Sequence, residues 1–411
     1  MMFLHKAEKR QPTHAQRLFH GLVREWLWIG LLLLPITAYL SLSPGLALNN
    51  PLYDSLRRLA PLPVDPRILL VTIDDQSLKE LGRWPWPRNL HADLIDRLSA
   101  AQPSAILFDV IFNEPGVPAN DQRLAAAVCR AGNVVLPLLR EEVTSYSQPD
   151  AKMLPLLDCA KGLGHINVEA DSDGIVRSLF LREGPPDNMA PQLAWMAYTA
   201  SGQVSEMPGK PLQPISQYWH RENAIRIPFV AASAHFPSVS YASVLRGEVP
   251  PERLRGRLIL VGSTASGMGD RFVTPLSSTV GTTAGVEIQA NVLNGLLLGR
   301  SLVDLPGGLS ALMATALVAL LLGLLLYRPR YALWMTLGCM TTALLGAWVL
   351  LRLDYWWSPA ACLIGLLLSY LIWNWRRLSV ILAYFGWELA RLDNEPKVLP
   401  ERRRAPASKG D

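Results

Sequence analysis

The stretch RILLVTIDDQSLKELGRWPWPRNLHADLIDRLSAAQPSAILFDVIF, Arg67–Phe112, decides the fold. It opens with the apolar run Arg67–Ile73, which has the length of a strand buried on both faces. Leu90–Ala101 then carries apolar residues at helical spacing, and Ala105–Phe112 is a second apolar run. A strand, a helix and a strand in this order indicate a βαβ unit with parallel strands.

The same rhythm continues along the chain. Asp121–Ala131 predicts a helix and Asn133–Leu139 a third strand. Gly174–Arg182 predicts a strand after a turn, and Asn223–Val230 predicts a short strand. Arg253–Ser263 predicts a basic turn followed by a buried strand. Ala284–Gly299 predicts a helix that a glycine ends. The sequence therefore predicts an α/β domain with a mostly parallel sheet over residues 43–305.

Four apolar blocks lie outside this domain, one before it and three after it. Each approaches the ~20 residues that a helix needs to cross a bilayer, and tyrosines and tryptophans flank the later blocks. A cleaved signal peptide is the alternative for the first block, because basic residues precede it. The sequence predicts four transmembrane helices, at residues 26–42, 309–327, 331–351 and 357–373.

Basic residues decide the predicted orientation. Lysines and arginines precede the first block, and arginines lie between the second and third blocks and after the fourth. The positive-inside rule then makes residues 1–25 and 374–411 cytoplasmic and places residues 43–305 outside. The net charge of +5 therefore reflects topology, with membrane lipid as the partner, and it does not predict nucleic-acid binding.

Within the first βαβ unit, Gly82–Ile95 places two tryptophans, each followed by a proline, ahead of a helix. Proline disfavours helix in the residue before it, so Trp84 and Trp86 should both be extended. Asn89 is a good N-cap for the helix that follows. The corner is either packing that closes one end of the sheet, or a ligand or partner wall formed by Trp84, Trp86 and Arg88.

Carboxylates follow the predicted strands. Asp74 and Asp75 come directly after one strand, Asp109 lies in the next, and Asp270 ends the loop after a third. If these strands are neighbours, the carboxylates converge and could bind a cation or a basic group. The alternative is that each one caps a turn or pairs with a nearby arginine.

The sequence lacks motifs for metal or catalytic chemistry. No two histidines of the outer segment have the i, i+4 spacing of a helical zinc motif. Gly262–Asp270 has the glycines of a phosphate loop, but Met268 stands where the lysine should be. We therefore expect no metal, no cofactor and no catalytic residue.

The four cysteines fall into two pairs. Cys339 and Cys362 lie in predicted spans, where packing explains them. Cys129 and Cys159 lie in the outer segment and could form a disulfide if that segment faces an oxidising compartment. Their spacing alone leaves the pairing open.

Three blocks of the outer segment occur in a characteristic order: VTIDDQSLKELGRWPWPRNLHADLIDRL, AILFDVIFNEP and GRLILVGSTASGMGDRFVTPLSSTVGTTAGVEIQANVLNGLL. Together these blocks resemble the type-two CHASE domain. The resemblance covers roughly Leu52–Leu302 and extends to the layout, with one span before the domain and three after it. It implies a bacterial inner-membrane receptor whose periplasmic domain senses an unknown ligand, and such receptors usually signal as homodimers. In this family a histidine kinase, nucleotide cyclase or serine/threonine kinase commonly follows the last span.

The residues after Trp373 depart from that plan. They predict one helix followed by a polar, disordered stretch, without a histidine or a glycine-rich nucleotide loop. We therefore expect a non-enzymatic receptor that passes its signal to a cytoplasmic output module or to a separate protein. The alternative is a membrane scaffold or accessory subunit of an envelope complex that senses nothing.

Overall fold

The computed structural model describes residues 14–43, 45–112, 114–138, 158–209, 213–214, 218–231, 233–268, 270–277 and 281–393. The chain divides into two compact units. The membrane unit comprises Met1–Leu46, Gly307–Leu345 and Pro359–Asp411, and the α/β unit comprises Ala47–Pro306 and Gly346–Ser358.

The α-helices of the described residues are named in chain order. They are α1 (His14–Leu42), α2 (Asn49–Arg58), α3 (Asp75–Leu81), α4 (Arg88–Ala100), α5 (Pro118–Ala131), α6 (Leu193–Ala200), α7 (Tyr241–Leu245), α8 (Pro251–Leu254), α9 (Gly285–Leu297), α10 (Gly307–Tyr327), α11 (Ala332–Arg352) and α12 (Ala360–Asp393).

The α/β unit is built on a six-stranded sheet in which all neighbouring strands run parallel. Its members are β1 (Ile68–Ile73), β2 (Ala105–Phe108), β3 (Val134–Leu138), β4 (Gly162–His165), β10 (Ser238–Ser240) and β11 (Leu258–Ser263). The strand order is β10-β1-β11-β2-β3-β4. The four predicted strands with continuous apolar runs, at 67–73, 105–112, 133–139 and 253–263, all lie in this sheet.

Both faces of this sheet are buried, as continuous apolar strands require. Ile68 and Leu70 of β1 belong to one core, whereas Leu69 and Val71 belong to the other. Helices α6 and α9 contribute to the first core, and α4 and α5 contribute to the second. The result is a three-layer α/β arrangement.

A second sheet of the α/β unit is antiparallel. Its strands are β5 (Glu169–Ala170), β6 (Val176–Gly184), β7 (Ala190–Pro191), β8 (Gln213–Pro214) and β9 (His220–Arg226). Their order is β5-β6-β9-β8, with β7 paired to β6. The sequence predicts strands that overlap β6 and β9, but the other three have two residues each, too few for an alternating apolar pattern to reveal them.

Two short bridges complete the α/β unit. β12 (Arg271–Phe272) pairs antiparallel with β13 (Thr283–Ala284), directly before α9. β14 (Val303–Asp304) pairs in parallel with β15 (Tyr355–Trp356). In the chain, β14 precedes α10 and β15 lies between α11 and α12. The second bridge therefore joins two segments that continue into predicted membrane helices.

Three helices are long and apolar enough to cross a membrane, within the part of the chain that the structure describes. They are Val23–Leu42, Gly307–Tyr327 and Pro329–Arg352, which correspond to the first three predicted spans. The fourth predicted span, 357–373, lies largely in the first half of α12 and stays a prediction.

Small residues allow close packing inside the membrane unit, where α1 contacts both α10 and α12. A Cβ atom on Gly365 would lie 2.5 Å from Thr37 Oγ1 and 2.9 Å from Val318 Cγ2. The indole Nε1 of Trp26 also donates a hydrogen bond of 2.8 Å to the carbonyl of Leu322. Such close approach at a glycine is typical of helix contacts in lipid.

The start of α4 corrects one prediction. The helix begins at Arg88, and Pro87 is its N-cap residue with φ −58° and ψ 140°. No side chain caps it, so Asn89 lies inside the first turn and is not the N-cap. The fixed φ of Pro87 and its extended ψ supply the entry geometry that a capping side chain would otherwise support.

A disulfide joins Cys129 of α5 to Cys159, with their Cα atoms 4.9 Å apart. The two residues are 30 positions apart in sequence. Replacing both by alanine should lower the free energy of unfolding by about 2–4 kcal/mol, because the unfolded chain regains the freedom of the open loop. Urea unfolding of the purified protein measures this loss. A reductant should lower wild-type stability to that of the variant and leave the variant unchanged; a wild type indifferent to reductant would contradict the prediction.

Candidate functional site

The carboxyl ends of β1, β11 and β2 lie side by side, because β11 pairs with both other strands. Ligands of parallel α/β sheets bind at this edge. β2 ends at Phe108, so Asp109 lies just beyond the strand and not within it. The edge thus receives Asp74 after β1, Asp109 after β2 and Asp270 from the segment after β11.

Asp74 and the neighbouring Asp75 form hydrogen bonds that hold local structure. Asp74 caps α3: its Oδ1 accepts hydrogen bonds from the backbone N–H of Ser77 at 2.7 Å and from the Ser77 hydroxyl at 2.6 Å. The hydroxyl of Ser240 in β10 also donates to Asp74, at 3.1 Å. The exposed Asp75 accepts the backbone N–H of Ser266 at 3.3 Å. These contacts fit the capping alternative for Asp74 and tie the loop after β11 to α3.

Asp109 and Asp270 form the second part of the edge. Both side chains are half-buried, and neither carboxylate accepts a hydrogen bond or forms an ion pair with the described residues. Burial and the charge of Asp270 raise the pKa of Asp109 to about 7. Burial also raises the pKa of Asp270, against the opposing charge of Arg271. Near neutral pH the Asp109 carboxyl group is therefore close to the midpoint of its protonation.

The Asp270 side of this pair lies at the start of α9. The carbonyl of Asp270 accepts the backbone N–H of Gly285 at 3.1 Å. The Asp270 carboxylate occupies the space where a Cβ atom of residue 285 would be, so only glycine fits there. A change in the charge of Asp270 would act directly on the first turn of α9.

The tryptophan corner forms a packed aromatic cluster. Trp86 is 4% exposed, and its ring centroid lies 5.3 Å from that of Trp84 and 4.9 Å from that of Tyr241. Its Nε1 donates a hydrogen bond of 2.9 Å to the carbonyl of Gly82. The buried His91 ring contacts both tryptophans, and its Nδ1 lies 2.8 Å from the Tyr241 hydroxyl. These contacts fit the packing alternative for the corner.

Burial and the charge of Arg88 lower the pKa of His91 to about 4. The ring therefore stays neutral at physiological pH, which suits a packing role.

Arg88, the first residue of α4, connects α4 to α5. Its Nη1 donates to Asp121 of α5 at 2.7 Å, and its Nη2 donates to the carbonyl of Glu114. The guanidinium also lies over the ring of Phe112, 5.4 Å from its centroid. The predicted ligand roles of Trp84, Trp86 and Arg88 stay predictions.

A cavity of about 160 Å³ lies elsewhere in the α/β unit and has no counterpart in the sequence prediction. Phe229, Phe236 and Leu276 form part of its apolar wall, whereas Arg271, Glu287 and Asn291 supply polar groups. Glu287 accepts the backbone N–H of Ala284, and Asn291 accepts that of Val230 at 2.9 Å. These residues come from three separate segments without a shared motif, so only the fold brings them together.

The cavity and the carboxylate pair meet at one element. Glu287 and Asn291 lie on the first two turns of α9, and Asp270 contacts its first residue. No group of three or more His, Cys, Asp or Glu among the described residues could hold a metal ion. The arrangement is suited to binding a proton or a small ligand next to the start of α9.

Comparison with known proteins gives one family. A family model described as the CHASE2 domain matches residues 27–327, which is more than half of the 411-residue chain. No curated protein and no solved structure matches the chain significantly. The matched residues include the carboxylate edge, the aromatic corner, the cavity, most of the first membrane-length helix and all of the second. The chain therefore belongs to the CHASE2 domain family.

Proposed function

We propose that this protein is a receptor of the bacterial inner membrane that senses a stimulus in the periplasm. CHASE2 domains form a sensory family, and three described helices can cross a membrane by length and composition. In this proposal the α/β unit faces the periplasm, and both termini are cytoplasmic. The chain acts without catalysis, as a homodimer, and passes its signal to a cytoplasmic output module or partner.

The observation that carries this proposal is the course of α9. Its first turn contacts Asp270 and the cavity, and its last residue, Leu297, precedes the membrane-length helix α10 by only ten positions in sequence. If a ligand or a proton displaces α9, only a short segment of chain therefore separates that displacement from the predicted membrane helix. Rigid elements with few intervening residues are the physical means of such coupling.

Buried polar contacts fix α9 to its surroundings. The side chain of Asn294 accepts the backbone N–H of Asp65 at 2.7 Å and donates to the carbonyl of Pro63 at 3.0 Å. Gly262 lets α9 approach the sheet, since a Cβ atom there would lie 2.6 Å from Val286 Cβ. Close packing of this kind transmits strain along the helix.

Ion pairs reinforce the β14–β15 bridge, which follows α9 in the chain. Arg226 of β9 pairs with Asp304 of β14 at 2.6 Å. Arg300 pairs with Asp354, also at 2.6 Å, and donates to the carbonyl of Arg352 at the end of α11. The bridge therefore supports transmission from the α/β unit to several chain segments that enter the membrane.

A reporter tests this proposal. An adenylate cyclase catalytic domain joined after Asp411 converts the state of the receptor into cyclic AMP in cyclase-deficient cells. Arg300→Ala should break the bridge and change basal cyclic AMP by about fivefold or more, the usual scale of allosteric coupling. Arg182→Ala removes an exposed pair with Glu222 and is the control.

Two results would count against sensing. If Arg300→Ala inserts and folds normally while cyclic AMP equals that of wild type and the control, the chain acts as a scaffold. If purified wild-type chain turns over a substrate in the absence of any output domain, it is an enzyme.

A further inference from the structure

The cavity beside α9 combines a buried apolar wall with charged groups. Phe229 in this wall is 1% exposed, and Phe236 and Leu276 are each 8% exposed. The charged side chains that line the cavity are more accessible, since Arg271 is exposed and Glu287 is half-buried. A ligand that fits this cavity is therefore amphipathic, with an apolar end and a charged end.

The size of the cavity restricts the ligand to a small molecule. Its volume of about 160 Å³ is below the roughly 300–1,000 Å³ of pockets for drug-sized ligands. It equals the space that about five water molecules take in the liquid. The cavity therefore excludes nucleotides and peptides, and it has the size of a single amino acid.

The backbone of Ala284 brings the two charged groups of the cavity together. Ala284 pairs with Arg271 in the β12–β13 bridge. Its backbone N–H donates a hydrogen bond of 3.2 Å to Glu287 Oε2. Neither Arg271 nor Glu287 forms an ion pair within the described residues. A cation and an anion therefore lie close together at the cavity, and neither one is neutralised.

Both groups keep hydrogen-bonding capacity for a ligand. The guanidinium of Arg271 donates to Thr282 Oγ1 at 2.8 Å, to the carbonyl of Thr264 at 3.1 Å and to the carbonyl of Thr282. A guanidinium has five N–H groups, so two of them remain for an anion. Glu287 Oε1 accepts no hydrogen bond from the described residues and can therefore accept one from a cation.

These groups select a zwitterion over other small molecules. A ligand with only a negative charge would be repelled by Glu287, and one with only a positive charge would be repelled by Arg271. A sugar would place hydroxyl groups against the apolar wall, where they would lack partners. An amino acid with an aliphatic side chain avoids each of these costs.

We propose that this cavity binds a free α-amino acid with a small aliphatic side chain, such as leucine. The inference rests on the proposed function, for which it supplies the class of ligand. Arg271 binds the carboxylate, Glu287 binds the ammonium group, and the apolar wall holds the side chain. The ligand thereby joins the β12–β13 bridge to the first turn of α9.

Isothermal titration calorimetry of the full chain in nanodiscs tests this binding. Three probes each lack one part of leucine: isocaproate lacks the ammonium group, isoamylamine lacks the carboxylate, and glycine lacks the side chain. Leucine should bind, and each of the other probes should bind at least about tenfold more weakly because one contact is lost.

Glu287→Gln isolates the contact with the ammonium group. The glutamine carbonyl can still accept the Ala284 N–H, so the substitution keeps the cap of α9 and removes only the charge. Leucine affinity should fall by at least about tenfold, whereas isocaproate affinity should not fall. Glu252→Gln is the matched control, since Glu252 is exposed and does not line the cavity. The control should bind leucine as wild type does.

Three results would overturn the inference. The first is that leucine does not bind up to millimolar concentration. The second is that leucine and isocaproate bind with equal affinity. The third is that Glu287→Gln weakens both ligands equally, which would mean that the glutamate acts only on the fold.

The cyclase reporter distinguishes these results from a failure of the proposed function. Leucine binding without any change in cyclic AMP would support the amino-acid site and contradict sensing. An Arg300→Ala effect on cyclic AMP in a chain that does not bind leucine would contradict the amino-acid site and leave the receptor function standing.

Discussion

Replacing Arg177 by methionine should lower the free energy of unfolding of the α/β unit by about 3–5 kcal/mol, because the substitution leaves carboxylates at a buried site without their cation. Arg177 lies in β6 and is 1% exposed. It donates to both oxygens of Asp54 at 2.8 Å, and to Asp171 at 2.7 Å. It also donates to both oxygens of Asp173, at 2.8 and 2.9 Å.

These ion pairs join distant parts of the chain. Asp54 belongs to α2, which directly follows α1, whereas Asp171 and Asp173 lie in the turn before β6. The hydrogen bond from Arg177 lowers the pKa of Asp173. Without the guanidinium, like charges remain close together, and α2 loses its bidentate attachment to the antiparallel sheet.

Chemical unfolding of the full chain in nanodiscs, followed by tryptophan fluorescence, measures the loss. Arg182→Met is the matched control, since Arg182 lies in the same strand but is exposed and pairs with Glu222 at 3.1 Å. That control should cost no more than about 1 kcal/mol. If Arg177→Met lowers the free energy of unfolding no more than the control does, the ion pairs of Arg177 do not have the proposed stabilising role.

Asp109→Asn should change how the stability of the α/β unit depends on pH. The pKa of Asp109 rises from 3.8 to about 7 on folding. Between these values the folded state holds a proton that the unfolded state has lost. Wild-type stability should therefore fall as pH rises through this window, by up to about 1.4 kcal/mol per pH unit for this group.

The asparagine variant lacks this contribution. It should be more stable than wild type above pH 7, and the difference should shrink towards pH 4. His91 acts in the opposite direction, because its lowered pKa of about 4 makes stability fall as pH drops below 6.5. The informative quantity is therefore the difference between wild type and variant, from which His91 cancels.

Thermal unfolding at intervals from pH 4 to pH 8 gives this difference. Asp96→Asn is the control, since Asp96 is a surface residue of α4 paired with Arg130. A difference between wild type and Asp109→Asn that stays constant with pH would mean that the carboxyl group titrates normally.

The main sheet could be predicted because its strands are apolar on both faces. Ile68–Ile73 and Leu258–Ser263 are continuous apolar runs since helices cover both sides of each strand. The antiparallel sheet could be predicted only in part. Gly174–Arg182 predicts its long strand Val176–Gly184, but the charged partners of Arg177 in that strand are set by tertiary contacts and not by local pattern.

The candidate site, too, could be predicted only in part. The position of Asp109 and Asp270 at one edge follows from the rule that parallel strands place their carboxyl ends together. Their different surroundings do not follow from it, since Asp74 finds capping partners and Asp109 finds none among the described residues. The cavity was missed because its lining residues are brought together only by packing around α9.

Hydrogen exchange of the full chain in nanodiscs tests the central claim most directly, namely that the state of the carboxylate edge reaches the membrane helices. Wild type and Asp109→Asn are compared at one pH, because the asparagine imitates a protonated carboxyl group. We expect deuterium uptake to differ between the two proteins along α9, at β14 and β15, and in α12. Changes confined to the edge around Asp109 and Asp270, with α9 and α12 identical in both proteins, would contradict it.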